Sequence, residues 1–235
     1  MSTVTQETLS GAGKVIAVEE NYRGLAEQRG RFPEMPSYFL KPPSSLSLSG
    51  GTVERPAGLE KLSLAGEVAL IIGTVARHVS MADAWGHIAF VTAANHLCLD
   101  ELASAQKGST LLATGGDGFT PLGHFLLDAS RVDPEQLELR TWVNGTLVQD
   151  DTTAGLLFPI NGLIAELSQV MTLMPGDVIL TGTPAGSGLV VPGDTMEVSV
   201  VDPASGESTG RLHTTVTAGT VPLPTFGARG TVHGR

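Results

Sequence analysis

Residues 64–73 read LAGEVALIIG, a run that is apolar apart from one carboxylate, Glu67. An isolated charge in such a run is costly unless a cation, a metal ion or hydrogen-bond donors meet it, which makes Glu67 a candidate binding group. A second candidate lies in SQVMTLMPGDVILTGTPAGSG, residues 168–188, where a helical pattern passes through a turn and a strand into a loop of small residues. Such a loop offers backbone N–H groups and the Thr183 hydroxyl to an oxygen-rich ligand, although a plain strand-to-loop corner has the same composition. Lys41 and Arg77 are local cations of the kind an anionic small substrate would need. Two catalytic signatures fail on spacing. AGSGL around Ser187 is not a Gly-x-Ser-x-Gly elbow, and GGDG at 115–118 lacks the Lys-Ser/Thr of a phosphate loop, so it reads as a structural turn.

The elements that must position these groups belong to a chain of 235 residues, long enough for one large domain with at most a small appendage. With 29 Gly, 14 Pro and only 5% aromatic residues, the composition suits a turn-rich, largely β protein better than a helical bundle. A net charge of −10 and the lack of a Lys/Arg stripe argue against nucleic acid and anionic membrane surfaces as partners. Cys98 is the single cysteine, which excludes an intrachain disulfide and a cysteine-rich zinc knot. The N-terminus MSTVTQETLSGAGKV carries no apolar h-region, and apolar runs such as VALII fall far short of a membrane span, so the expectation is a cytoplasmic protein.

Along the chain, KVIAV (14–18), GEVALIIG (66–73) and IAFVTAAN (88–95) predict strands. Ser80 and Asp83 in SMADAWGH form a capping pattern for a short helix. LELRTWVNGTLVQ (137–149) alternates around Asn144-Gly145, a hairpin signal. Ile160, Leu163, Ile164, Leu167, Val170 and Met171 recur at helical spacing. PGD at 175–177 and at 192–194 predicts a type II turn before each of two strands. Residues 30–58 and 99–118 read as irregular loops, residues 1–12 as a flexible leader and residues 218–235 as a flexible tail around a domain at 13–217.

MTLMPGDVILTGTPAG closely resembles the C-terminal signature of the fumarylacetoacetate hydrolase superfamily, and further blocks match in the family's order: NY (21–22), FLKPPSSL (39–46), GEVALIIG (66–73), AAN (93–95), GFTPLG (118–123) and VNGTLVQDDTT (143–153). The resemblance implies an α+β fold, a mixed β-roll with few short helices, in a dimeric enzyme that uses Mg²⁺ or Mn²⁺ on 2-oxo acids. Such a cation would chelate the substrate and stabilise an enolate. The chain looks most like the N-terminal, metal-poor copy of the two fused domains in the isomerase/decarboxylase of 4-hydroxyphenylacetate degradation, a likeness that includes DGFTPLG (117–123).

Carried over position by position, the family's Glu-x-Glu strand places Ala65 at the first ligand and Glu67 at the second, while the Asp after the AN strand becomes His96. The His and Glu that follow NY become Leu25 and Gln28, with Glu27 adjacent, and the lysine before the F-x-P-L-G block becomes Thr114. Retained positions are Lys41, Asp117, Gln149 and Thr183, of which Thr183 and Lys41 are the candidates for positioning substrate. Glu67 and His96 can be read as a two-residue metal site, as an ion pair inside a former metal cavity, or as a carboxylate facing solvent or a subunit interface. The resemblance thus implies either an isomerase, decarboxylase or hydrolase of a small 2-oxo dicarboxylate with an altered metal site, or a non-catalytic subunit. Its partner would be a second copy or a metal-binding paralogue, giving a homodimer or a heterodimer.

Overall fold

The computed structural model of the chain describes residues 2–105 and 110–224. Strands and short helices alternate irregularly. The first third contains β1 (Ser2–Thr3), α1 (Gln6–Ser10), β2 (Val15–Glu19), α2 (Arg23–Arg29), β3 (Ser37–Lys41), β4 (Leu46–Leu48), β5 (Thr52–Ala57) and β6 (Leu62–Ile72). The middle holds β7 (Ile88–Leu99), α3 (Asp100–Ala105), α4 (Leu111–Thr114), β8 (Thr120–Leu122), β9 (Phe125–Asp128), β10 (Glu138–Val143) and β11 (Thr146–Thr152). The last third runs through α5 (Ile160–Val170), β12 (Val178–Leu180), β13 (Gly188–Val190), β14 (Thr195–Val201) and β15 (Leu212–Pro222).

Two mixed sheets result, one of ten strands built along β1-β9-β7-β6-β12-β2-β3 and one of five ordered β11-β10-β14-β15-β5. At their centre β6 pairs with β7 over eleven residues of register. Its even-numbered side chains enter two apolar clusters. Val68, Leu70 and Ile72 pack with Leu139, Ile164 and Val198, and Leu62 and Leu64 pack with Met196 and Val216. Its odd-numbered Ala69 and Ile71 enter a different cluster with Val15, Ala94 and Leu180. A strand covered on both faces needs a near-continuous apolar sequence, which is why VALII reads without alternation. Gly66 marks a close approach of the two sheets, because a Cβ there would stand 2.0 Å from Thr141 Oγ1 on β10.

The expected strands, hairpin and helix form. Asn144 and Gly145 both take positive φ, 50° and 76°, as a two-residue hairpin turn requires. Gly176 and Gly193 of the two PGD turns have φ of 91° and 101°. Other expectations need correction. Residues 30–58 contain β3, β4 and β5, and residues 99–118 contain α3 and α4, with 106–109 outside the described residues. Here pairing with distant strands, such as β5 alongside β15, imposes order that no local pattern carries. The expected leader forms β1, paired with β9, and α1, capped by Thr5. The expected tail continues β15 as far as Pro222, so order extends past residue 217; residues 225–235 lie outside the described set. No described helix is long and apolar enough to cross a membrane.

Candidate active site

Toward the start of β6 the odd face loses its apolar cover, and Ala65 and Glu67 instead line a cleft of about 530 Å³. Register places Ala65 opposite His96 and Glu67 opposite Ala94. Glu67 and His96 are therefore diagonal neighbours on one face of the sheet. Small side chains at 65 and 94 leave room for the imidazole to lean across, and His96 Nδ1 lies 3.0 Å from Glu67 Oε1. The other carboxylate oxygen accepts the Gly182 N–H at 2.6 Å. Glu67 is 1% exposed, and the His96 side chain, part of the cleft wall, is 14% exposed.

A carboxylate on the Nδ1 side fixes the imidazole proton on that nitrogen. Nε2 is then a lone-pair acceptor, buried and without a hydrogen-bond partner among the described residues. Burial holds the His96 pKa below its ordinary value and the Lys41 charge lowers it further, while Glu67 acts in the opposite direction.

The loop after β12 is held in place by two amides. Gln149 accepts the Gly66 N–H at 2.9 Å and donates from Nε2 to Thr183 Oγ1 at 2.8 Å and to the Pro184 carbonyl at 2.9 Å. Asn21 donates to the carbonyls of Thr181 at 2.9 Å and Phe158 at 3.1 Å. Gly182 has φ of 97°, and a Cβ there would meet the Asn21 Cβ at 2.8 Å. Thr183 is one of the residues that line the cleft. Its oxygen accepts from Gln149, so its proton is available to a ligand.

The structure distributes the remaining sequence candidates unevenly. Lys41 is 1% exposed, donates to the Phe119 carbonyl at 3.0 Å and lies behind the cleft wall. Burial pushes its pKa down to about 7, against the pull of Glu67 and Cys98. Leu25 and Thr114 both line the cleft, and Thr114 Oγ1 donates to the Thr110 carbonyl at 3.0 Å. Glu27, Gln28 and Asp117 are exposed and stand away from the cleft. Arg77 also lies elsewhere, donating to the Ser168 and Gln169 carbonyls at the end of α5, where it caps the helix.

Sequence reasoning missed the rim. Glu20 pairs with Arg29 and, at 2.6 Å, with Arg31, and Cys98, Asp100 and Ser63 form one wall of the cleft. Ser63 Oγ donates to Asp100 Oδ1 at 2.7 Å. Burial, aided by Asp100, pushes the Cys98 thiol up to about 11. These residues meet only through strand pairing and a helix packed beside it, so no local spacing announces them.

The donor set does not fit a hard divalent cation, which takes six or more oxygen ligands or keeps several waters around carboxylates. One carboxylate is present at the strand position, and both of its oxygens already accept from the protein. Ala65 supplies no ligand, and among the described residues no group of three His, Cys, Asp or Glu side chains converges as a metal site would require.

The family profile described as "Fumarylacetoacetate (FAA) hydrolase C-terminal" matches residues 14–217. The chain belongs to the fumarylacetoacetate hydrolase family, whose members generally use a divalent metal. It is 40% identical over 202 residues to the 4-hydroxyphenylacetate degradation bifunctional isomerase/decarboxylase of Escherichia coli, a match covering 85% of this chain and 46% of that one. The chain spans about half the length of the curated enzymes of this name that it matches, 45% and 46%. Among solved structures it is similar to the 5-carboxymethyl-2-hydroxymuconate delta-isomerase from Mycobacterium smegmatis, with TM-score 0.78, 38% identity and coverage of 88% of this chain and 79% of that one. The 2-hydroxyhepta-2,4-diene-1,7-dioate isomerase from Mycobacterium marinum gives TM-score 0.77 at 33% identity, covering 88% of this chain and 75% of that one.

Proposed function

We propose that the chain is an isomerase of a small 2-oxo dicarboxylate or its enol in aromatic catabolism, of the 2-hydroxyhepta-2,4-diene-1,7-dioate isomerase type, with a site altered from the family's metal centre. The observation that carries this reading is the cleft over the Glu67–His96 pair, at the positions where the family places metal ligands. In this reading Thr183, whose oxygen accepts from Gln149, donates its own proton to a substrate oxygen. Lys41 acts on the site through its charge, from behind the wall. The test is turnover of 2-hydroxyhepta-2,4-diene-1,7-dioate and oxaloacetate by the purified chain, with and without added Mg²⁺ or Mn²⁺. Catalysis above the buffer rate supports the reading, and its absence under every condition refutes it.

A second reading is favoured by Ala65 at the lost ligand position and by a match to half of a bifunctional enzyme. In it the chain is a non-catalytic subunit paired with a metal-binding paralogue. Activity that emerges only on mixing with such a paralogue, and is unaffected by His96→Ala, would favour this second reading.

A further inference from the structure

Within the isomerase reading, on which this inference rests, we propose that His96 is the proton-transferring base of the site and that it works without a bound divalent cation. Three observations converge. Nδ1 is engaged by Glu67, Glu67 is itself held by the Gly182 N–H, and Nε2 is left buried and unpartnered on a residue that lines a cleft large enough for a small dicarboxylate. A carboxylate that fixes one imidazole nitrogen and leaves the other as a base is a recurrent catalytic arrangement. A buried acceptor with no partner is otherwise destabilising, and a ligand's acidic C–H or enolic O–H is the partner that the cleft can supply.

The proton inventory closes on the chain's own residues. Nε2 takes a proton from the carbon beside the ketone, the C–H electron pair becomes the new C=C bond, and the carbonyl π pair moves onto oxygen. The Thr183 O–H donates a hydrogen bond to that oxygen. The imidazolium then returns the proton, to the oxygen for the enol or to a farther carbon of the conjugated chain for a shifted double bond. No other reactant is consumed. Glu67 is a positioning residue that holds the tautomer and shields the imidazolium charge.

The experiment uses the whole chain, treated with chelator and checked for metal content, with 2-hydroxyhepta-2,4-diene-1,7-dioate and oxaloacetate as probes. Turnover that persists after chelation, drops about 100-fold or more in kcat in His96→Ala and is partly restored by added imidazole is the expected result. In ¹⁵N-histidine-labelled protein, His96 should show a protonated Nδ1 and a bare Nε2, with Glu67→Gln reducing that tautomer. Turnover that requires Mn²⁺, or that survives His96→Ala unchanged, overturns this proposal and leaves the isomerase reading standing. No turnover with or without metal overturns the isomerase reading and this proposal with it.

Discussion

At the scale of single residues, the buried charges set a measurable pH dependence. Burial lowers the Lys41 pKa to about 7, while an unfolded lysine titrates near ~10.4. Between those values the unfolded chain binds more protons, so stability rises with pH across that window and is lost as pH falls toward 7, by at most about 1.4 kcal/mol per pH unit. Lys41→Met should remove this contribution. Urea unfolding at pH 7.5, 8.5 and 9.5 is expected to show a shallower rise in the variant than in the wild type. Cys98, which burial shifts upward, acts with the opposite sign and feels the Lys41 charge, so both proteins carry Cys98→Ala in this comparison. Parallel stability curves would show that Lys41 does not titrate in this range. Glu67→Ala removes the partner of both His96 and the Gly182 N–H, and a loss of about 2–4 kcal/mol is expected in the same assay.

At the scale of elements, the loop between β12 and β13 owes its position to Gln149 on β11, a strand of the other sheet. Gln149→Ala leaves the Gly66 N–H and the Pro184 carbonyl unpaired in the interior. A destabilisation of about 2–4 kcal/mol is expected, together with faster hydrogen exchange at the Gly66 amide. Unchanged exchange there would mean that the loop is held by other contacts. The hairpin of β10 and β11, legible in Asn144-Gly145, therefore serves the site indirectly by carrying Gln149 to it. The amphipathic pattern of α5 is likewise legible, and its burial against β6 holds the central strand from the side opposite the cleft.

At the scale of the whole molecule, the two sheets meet at Gly66. Gly66→Ala forces a Cβ to 2.0 Å from Thr141 Oγ1, so the sheets must separate or Thr141 must move, at a cost of about 1–3 kcal/mol or more. Gly86→Ala, where an added Cβ meets nothing within 4 Å, is the control and should stay within about 0.5 kcal/mol of wild type. Equal melting temperatures for the two variants would contradict the close seam. The seam lies next to Glu67 in sequence and on the opposite face of β6, so a displacement of the sheets at Gly66 would shift the cleft wall.

What the sequence determined by itself is the set of elements with local causes: the strands around VALII and FVTAAN, the Asn-Gly hairpin, the two Pro-Gly turns, the 3.6-residue periodicity of α5 and the family blocks that give the α+β β-roll. Those signals arise from backbone preference and burial pattern within a few residues. The tertiary structure alone decided that β3, β4, β5 and the end of β15 are ordered, since their order comes from partners far away in the chain. It also decided what Glu67 does. Sequence could show a carboxylate in an apolar strand and a histidine 29 positions later, but only the antiparallel register of β6 and β7 makes them diagonal neighbours. Only the return of the chain at Gly182 fills the remaining oxygen, so a position that resembles a metal ligand becomes the anchor of an imidazole.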